Sequence, residues 1–173
     1  MATKTKKASK TASNALYTSK IDIAEEARGE LVEILNQQIA DTADLYSQTK
    51  QAHWNVKGEA FYQLHGLFDD LADGIQAYVD TLAERVTALG GKAAGTVRMA
   101  AQNSTLPEYP DDAVQGVEAV KALIDRYAAY AASNRVALKR SGELGDPTSE
   151  DLFTEISRVI DKDLYFLEAH VQG

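Results

Sequence analysis

Two pairs of potential metal ligands lie in the middle of the sequence, each with a spacing of four residues. His65 and Asp69 form the first pair, and Asp80 and Glu84 form the second. On an α-helix, residues four apart project from one face a single turn apart, so each pair could hold one metal ion. The spacing therefore predicts two half-sites for an ion of the iron type.

One helix cannot bring both pairs to the same ion. Asp69 and Asp80 are eleven residues apart, which is about 16 Å along a helix axis. The ligands of one ion of this type converge to about 2 Å. Each pair therefore needs partners from elsewhere in the fold or from another chain.

A third candidate ligand, His53, lies just before a break in the helical pattern at residues 55–58. A helical hairpin at this break brings His53 close to His65 and Asp69, but it leaves the second pair too far away. The economical solution is a second copy of the chain, running antiparallel across a two-fold axis, that donates its Asp80 and Glu84. Because a two-fold interface makes two equivalent sites at once, the pattern predicts an oligomer.

Apolar residues at three- and four-residue steps predict four long helices around these ligands. The first three span about 23–55, 59–89 and 112–141, and the fourth follows Pro147. We expect Asp111 and Asp112 to cap the third helix, and Thr148 or Ser149 to cap the fourth. The long connection before the third helix contains one short helix near 96–102, which suits a crossover between two hairpins. The predicted fold class is all-α, a four-helix bundle.

Length and composition narrow the possibilities further. A chain of 173 residues with 45% hydrophobic and 25% charged residues is typical of one soluble domain. The absence of cysteine excludes disulfides and thiolate metal sites. No segment approaches the roughly 20 apolar residues of a membrane span, and the N-terminus lacks the apolar run of a secretory signal. We therefore expect a cytoplasmic protein.

The N-terminal segment differs from the rest in charge. Residues 1–20 contain five lysines and no acidic residue, whereas the remaining chain has 13 basic and 26 acidic residues. We expect residues 1–21 to form a disordered, lysine-rich tail and residues 22–173 to form the bundle. The tail is either a solubilising extension or a nucleic-acid tether that contacts phosphates through its lysines, Lys4, Lys6, Lys7 and Lys10.

The candidate ligands belong to a longer motif. It reads His53-Trp54-Asn55-x-x-Gly58, with Phe61, His65, Asp69, Asp80 and Glu84-Arg85 following in register. This motif closely resembles the Dps family, the mini-ferritins named as DNA-binding proteins from starved cells. The resemblance implies a ferritin-like bundle that assembles into a hollow shell of twelve subunits. It also implies a di-iron ferroxidase site at each two-fold interface, with its ligands divided between two chains.

Family chemistry would oxidise Fe(II) with hydrogen peroxide and deposit the ferric product as mineral inside the shell, which protects DNA from oxidative damage. By this resemblance, Asp69 and Glu84 are the main carboxylate ligands, His53 and His65 are imidazole ligands, and Asp80 is a weaker or second-metal ligand. Mixed imidazole and carboxylate ligands suit ferrous iron, although zinc and copper compete for them. Trp54 would donate an electron near the metal, a role compatible with packing at a helix interface.

The resemblance also implies acidic pores at three-fold axes, built from the start of the fourth helix. Asp146, Asp151 and Glu155 are the candidates, with Glu150 as an alternative. These acids could equally be a capping and solvated helix start. In a shell, many tails would act together, which favours salt-sensitive, sequence-independent DNA binding and association with the nucleoid.

Two rival functions compete with this interpretation. A ferritin whose metals lie inside one subunit needs Glu-x-x-His pairs on two helices, but no histidine here follows a glutamate by three residues. A structural nucleoid or DNA-binding protein without metal activity is the other alternative. The complete set of five ligands argues against it, and iron-dependent consumption of peroxide would separate the two.

Overall fold

Five α-helices make up the part of the chain that the computed structural model describes, residues 16–172. They are α1 (Glu25–Asn55), α2 (Phe61–Ala88), α3 (Val97–Asn103), α4 (Gly116–Glu143) and α5 (Pro147–Glu168). The prediction of an all-α bundle with a short helix in the long connection is confirmed. No helix within residues 16–172 is both long enough and apolar enough to span a membrane.

The four long helices pack as two hairpins around one apolar core. α1 packs along α2, α4 packs along α5, and α1 joins the two hairpins through its contact with α4. Fully buried side chains from all four helices meet in this core, among them Leu35, Phe68, Tyr127 and Phe153. Burial of each large apolar side chain contributes about 1.5–3 kcal/mol, so the core fixes the helices that carry the candidate ligands.

The turn between α1 and α2 is tied to the start of α4. Gly58 adopts φ +112°, a conformation that favours glycine. Beside it, the Lys57 N–H donates to the Val114 carbonyl at 2.8 Å, and the Gly116 N–H donates to the Lys57 carbonyl at 3.0 Å. The break in the helical pattern is thus a braced turn, and it holds the end of α1 against the beginning of α2.

The third long helix, α4, starts later than predicted, and the same hydrogen bonds to Lys57 are the reason. Asp111 and Asp112 do not cap it, because the chain stays non-helical as far as Gln115, which occupies the N-cap position without a side-chain hydrogen bond. The backbone on either side of Gln115 is bonded to Lys57 instead. A tertiary contact therefore displaced the helix start from the position that the sequence favoured.

The cap of α5 also differs from the prediction. Asp146, rather than Thr148 or Ser149, is the N-cap: its Oδ1 accepts the N–H groups of Thr148 at 3.1 Å and Ser149 at 3.2 Å. Pro147 follows as the first helical residue, where its missing N–H costs nothing. The carboxylate therefore satisfies the free donors of the first turn.

Residues 16–24 lie against the bundle, in contrast to the expectation that the tail extends through residue 21. The Tyr17 N–H donates to the Gly90 carbonyl at 2.8 Å, and the partly buried Leu16, Ile21 and Ile23 pack on the core. Gly90 has φ +86°, and a Cβ at this position would lie 2.5 Å from the Tyr17 carbonyl oxygen. The four lysines assigned to DNA contact precede residue 16 and lie outside the described residues.

Candidate metal centre

Two histidines form reciprocal hydrogen bonds from ring nitrogen to backbone carbonyl. They are His53 at the end of α1 and His65 in the second turn of α2. Nδ1 of His53 lies 2.7 Å from the carbonyl oxygen of His65, and Nδ1 of His65 lies 2.9 Å from the carbonyl oxygen of His53. The two rings stack with their centroids 3.8 Å apart and an angle of 20° between their planes. The hairpin therefore brings the two histidines together, as the sequence predicted.

The reciprocal hydrogen bonds determine which ring nitrogen is available to a metal. A carbonyl oxygen can only accept, so Nδ1 is the donor in both rings, which leaves Nε2 as the ring nitrogen that could bind a metal. Metal-binding histidines in proteins are commonly oriented in this way by a carbonyl behind the ring. His53 is 8% exposed, and Phe61 lies over His65 with ring centroids 5.1 Å apart, which limits rotation of the rings.

Asp69 is the third residue of this group. Its Oδ1 lies 3.8 Å from Nε2 of His53, and its side chain is about half exposed. The same oxygen forms an ion pair with Lys50 on α1. The hydrogen bond from Lys50 holds the pKa of Asp69 below its usual value, and the reciprocal bond raises the pKa of Lys50. Asp69 is therefore favoured in its ionised form, and the oxygen that faces His53 is engaged by the ammonium group of Lys50.

The sequence did not lead us to Lys50, although its position relative to His53 could have indicated that it lies near the candidate ligands. It lies three residues before His53 on α1, so both side chains project from the same face of the helix. His53, His65 and Asp69 thus lie close together, and Lys50 contacts this group through Asp69.

Asp80 and Glu84 lie far from this half-site in the same chain. α2 runs without interruption from Phe61 to Ala88, which places Asp80 about 16 Å and Glu84 about 22 Å from Asp69 along the axis. Both are exposed. Within residues 16–172, no group of three or more His, Cys, Asp or Glu side chains is arranged to hold a metal ion. The candidate ligands of a single chain therefore fall into two separate groups.

Trp54 projects away from the bundle. Its side chain is 66% exposed, and Phe61 and Tyr62 across the turn are 45% and 82% exposed. The tryptophan therefore does not pack between helices of its own chain. Three exposed aromatic side chains therefore lie at or near the α1–α2 turn.

The candidate pore residues differ in exposure and in their contacts. Asp151 and Glu155 are exposed on α5, where they line a cavity of about 370 Å³ between α2 and α5 that Glu84 also lines. Glu155 accepts a hydrogen bond from the Tyr78 hydroxyl at 3.1 Å. Glu150, the alternative candidate, is partly buried, and its carboxyl group lies close to Gly142.

Asp146 has a structural role instead. It is 1% exposed, and an amino group of Arg85 donates to its two oxygens at 2.7 and 2.8 Å. Burial opposes ionisation of Asp146, but hydrogen bonds from Arg85 and Ser149 outweigh it and keep the pKa of the carboxyl below its usual value. Both oxygens are used within the chain, so Asp146 is not free to line a pore.

The four-helix bundle, with two histidines and a carboxylate close together at the α1–α2 turn, points to a ferritin-like architecture, and comparison with known proteins agrees. The family model of the ferritin-like domain matches residues 32–173. A DNA protection during starvation protein from Agrobacterium fabrum is 42% identical over 156 residues, which cover 90% of this chain and 96% of the relative. The chain belongs to the Dps family of ferritin-like proteins.

Solved structures support this assignment. DpsC from Streptomyces coelicolor is 30% identical and superimposes with a TM-score of 0.86 over 91% of this chain and 92% of that one. A Dps protein from Vibrio cholerae O1, described as a member of a broad superfamily of ferritin-like diiron-carboxylate proteins, is 26% identical with a TM-score of 0.84. That match covers 92% of this chain and all of the other.

Proposed function

We propose that this protein is a ferroxidase and iron-storage mini-ferritin that oxidises Fe(II) with hydrogen peroxide and protects DNA from oxidative damage. The observation that carries the proposal is the pair of stacked histidines, whose Nδ1 atoms are held by carbonyls and whose Nε2 atoms are left to bind a metal beside Asp69. Two imidazoles and a carboxylate suit ferrous iron. Membership of a family whose relatives include a diiron-carboxylate protein supports the same chemistry.

A second copy of the chain completes the site. His53, His65 and Asp69 would bind iron together with Asp80 and Glu84 of the partner subunit, since the same residues of one chain lie too far along α2. A two-fold axis then creates two equivalent di-iron sites. Fe(II) competes with Lys50 for the Asp69 oxygen, and Trp54 supplies an exposed, oxidisable side chain next to the site.

The proposed reaction balances with two ferrous ions for each peroxide. Each Fe(II) gives up one electron, and the two electrons break the O–O bond of hydrogen peroxide. The resulting hydroxides remain with the two Fe(III) ions or take up protons to form water. Because ferrous iron and peroxide are consumed in pairs, their reaction to free hydroxyl radicals is avoided.

Assembly into a hollow dodecamer would give the ferric product a place to accumulate. Asp151 and Glu155 remain the candidates for the acidic pores through which Fe(II) enters, because both are exposed and share a cavity with Glu84. Such a protein would act in the cytoplasm.

The lysine-rich tail supports a second activity in the same protein. Lys4, Lys6, Lys7 and Lys10 would bind DNA through its phosphates and place the shells on the nucleoid, since several tails per assembly add up to a useful affinity. Deletion of residues 1–15 should abolish this binding at low salt and leave iron oxidation unchanged. A truncated protein that binds DNA normally would contradict the tail's role.

Complementation of two inactive variants tests the divided site. One chain carries His65→Ala and Asp69→Ala, the other carries Asp80→Ala and Glu84→Ala, and each alone should oxidise Fe(II) slowly. Reassembly of a mixture should restore part of the rate, because some interfaces then pair an intact half-site with its intact complement. Tagged chains that mix demonstrably without any recovery would refute ligation between chains. Slow, iron-independent consumption of peroxide by the unmodified protein would favour a DNA-binding protein without metal activity.

A further inference from the structure

A polar cavity of about 530 Å³ lies between α1, α3 and the connection that leads to α4. The carboxylates of Asp44, Glu108 and Asp111 line it, and none of the described residues around it is basic. None of these three acids forms an ion pair within residues 16–172. The cavity therefore carries negative charge that no side chain of the described chain offsets.

Gln48 lines the same cavity and has an unused hydrogen-bond acceptor. It is 6% exposed. Its Nε2 donates to the Pro107 carbonyl at 3.1 Å, whereas its Oε1 has no partner within residues 16–172. A buried amide oxygen without a donor costs free energy. The wall of the cavity thus calls for a hydrogen-bond donor as well as for positive charge.

The lining favours ammonium groups over a shared metal ion. Within residues 16–172, no three acidic or histidine side chains are arranged to hold one ion. A lysine ammonium group has three donors and binds to single acceptors. Leu106 and Tyr109 also line the cavity, and such apolar groups can pack against the aliphatic stem of a lysine. Lysine side chains therefore match both the charge and the shape of the lining.

The described chain begins at a known height along α1. The Tyr17 N–H donates to the Gly90 carbonyl, and a Cβ on the next residue, Gly91, would lie 2.5 Å from the side chain of Val32. Residues 44–51 of α1, which contribute to the cavity, follow Val32 by 12 to 19 positions. The cavity therefore lies about 18–29 Å along α1 from the start of the described chain.

Two lysines of the tail are placed to cover this distance. Lys10 and Lys7 precede Leu16 by six and nine residues. An extended chain spans up to about 3.3–3.6 Å per residue, so Lys10 reaches about 20 Å and Lys7 about 30 Å from Leu16. These two values bracket the cavity.

We propose that the tail docks in this cavity of its own chain, with the ammonium groups of Lys7 and Lys10 against the carboxylates. This inference goes beyond the proposed DNA binding, because it gives the same lysines a second partner on the protein itself. Single exposed ion pairs are weak, but a short tether holds the lysines near the cavity at an effective concentration of millimolar order. The cavity and DNA phosphates therefore compete for the same ammonium groups.

Zero-length cross-linking of the full-length, assembled protein tests the docking. Carbodiimide joins a lysine amine to a carboxyl group and takes up the water released, so it links groups that are in contact. We expect peptide mapping to find links from Lys7 or Lys10 to Glu108 or Asp111, and the double variant Glu108→Gln/Asp111→Asn to lose them. Links spread evenly over the exposed carboxyls of the bundle would overturn the proposal.

The same reaction on assemblies of isotope-labelled and unlabelled chains shows whose cavity the tail enters. Links within one isotope are expected, because the reach was derived for a tail and a cavity of one chain. Links that join a labelled to an unlabelled peptide at the frequency of random mixing would overturn docking within the chain.

DNA binding gives an independent measurement. Glu108→Gln/Asp111→Asn should raise the affinity of the full-length protein for duplex DNA by about two- to fivefold at low salt, since weak ion pairs no longer hold the tail. The matched control, Asp70→Asn/Glu118→Gln, removes the same two charges from exposed positions outside the cavity. Equal affinities of the two double variants would overturn the competition. The cross-links form without DNA, so a tail that docks but binds no DNA would reject only the proposed DNA-binding role.

Discussion

His53 and His65 each hold the other's ring through a backbone carbonyl, with Nδ1-to-oxygen distances of 2.7 and 2.9 Å. The arrangement depends on the α1–α2 turn, because only a tight return of the chain places each carbonyl behind the other ring. Orientation of the imidazoles is therefore a property of the folded hairpin. The cost of ordering the ligands is met during folding.

Replacement of His65 should reduce iron oxidation without unfolding the protein. We expect His65→Ala to lower the rate of Fe(II) oxidation by hydrogen peroxide by more than about 10-fold, because loss of a residue that only orients a metal ligand already costs about 10- to 100-fold. Stopped-flow absorbance of the ferric product gives the rate, and circular dichroism monitors the fold. His170→Ala is the matched control, because His170 is exposed and also bonds a carbonyl through Nδ1. A wild-type rate for His65→Ala would remove His65 from the site.

Removal of the lysine that engages Asp69 should strengthen metal binding. In Lys50→Met, a metal no longer competes with an ammonium group for the Asp69 oxygen. Ion pairs that are partly open to solvent are weak, so we expect Co(II) to bind only a few-fold more tightly, measured by calorimetry in the assembled protein. Lys57→Met, which changes an exposed lysine at the α1–α2 turn, should leave the affinity unchanged. Weaker binding in Lys50→Met would show that the lysine supports the site.

Asp163 should make the protein less stable at neutral pH. It is 7% exposed, and its Oδ2 has no hydrogen-bond partner among the described residues. Burial raises the pKa of Asp163 to about 6, although the nearby Lys162 opposes the shift. Because the folded protein holds this proton more tightly than the unfolded chain, the contribution to stability is fully present below about pH 4 and is lost as the pH rises through 6.

The variant Asp163→Asn removes this dependence. Two pKa units correspond to about 3 kcal/mol, so we expect Asn to raise the free energy of unfolding at pH 7.5 by up to about that amount. Little change is expected at pH 4. Denaturant unfolding at the two pH values measures the difference, with the exposed Asp70→Asn as control. A destabilised Asp163→Asn at pH 7.5 would mean that the carboxylate has a partner in the assembly.

The ion pair between Arg85 and Asp146 should be essential for stability. Asp146 is almost fully buried and bonds Arg85 through both oxygens. Removal of one partner of a buried pair leaves the other charge uncompensated and costs about 3–5 kcal/mol. We expect this loss in Arg85→Met, and a smaller loss when Asp146→Asn is added to it. Arg135→Met is the control, because its ion pair with Asp161 is exposed on both sides. If Arg85→Met and Arg135→Met were equally stable, the ion pair between Arg85 and Asp146 would have no special stabilising role.

The sequence by itself determined the helical architecture and the grouping of His53, His65 and Asp69 at the α1–α2 turn. Apolar residues at three- and four-residue intervals predict helices whatever the packing between those helices. The break at residues 55–58 then predicts that the chain turns back as a hairpin. His53, His65 and Asp69 could therefore be grouped from their spacing. The rise of an α-helix alone separates them from Asp80 and Glu84, since α2 is continuous between the two pairs.

Only the tertiary structure decided how individual polar groups are used. Asp146 belongs to an acidic segment for which the sequence suggests exposure to solvent. Its carboxylate is nevertheless buried in an ion pair with the guanidinium of Arg85, which is 61 residues away in sequence. Lys50 reaches Asp69 across two helices, and the bond between Lys57 and Val114 shifts the start of α4. Apolar periodicity shows which face of a helix is buried. The partner of a charged side chain depends instead on which helix packs against that face and on the relative position of the two helices along their axes. That information is not contained in the neighbouring sequence.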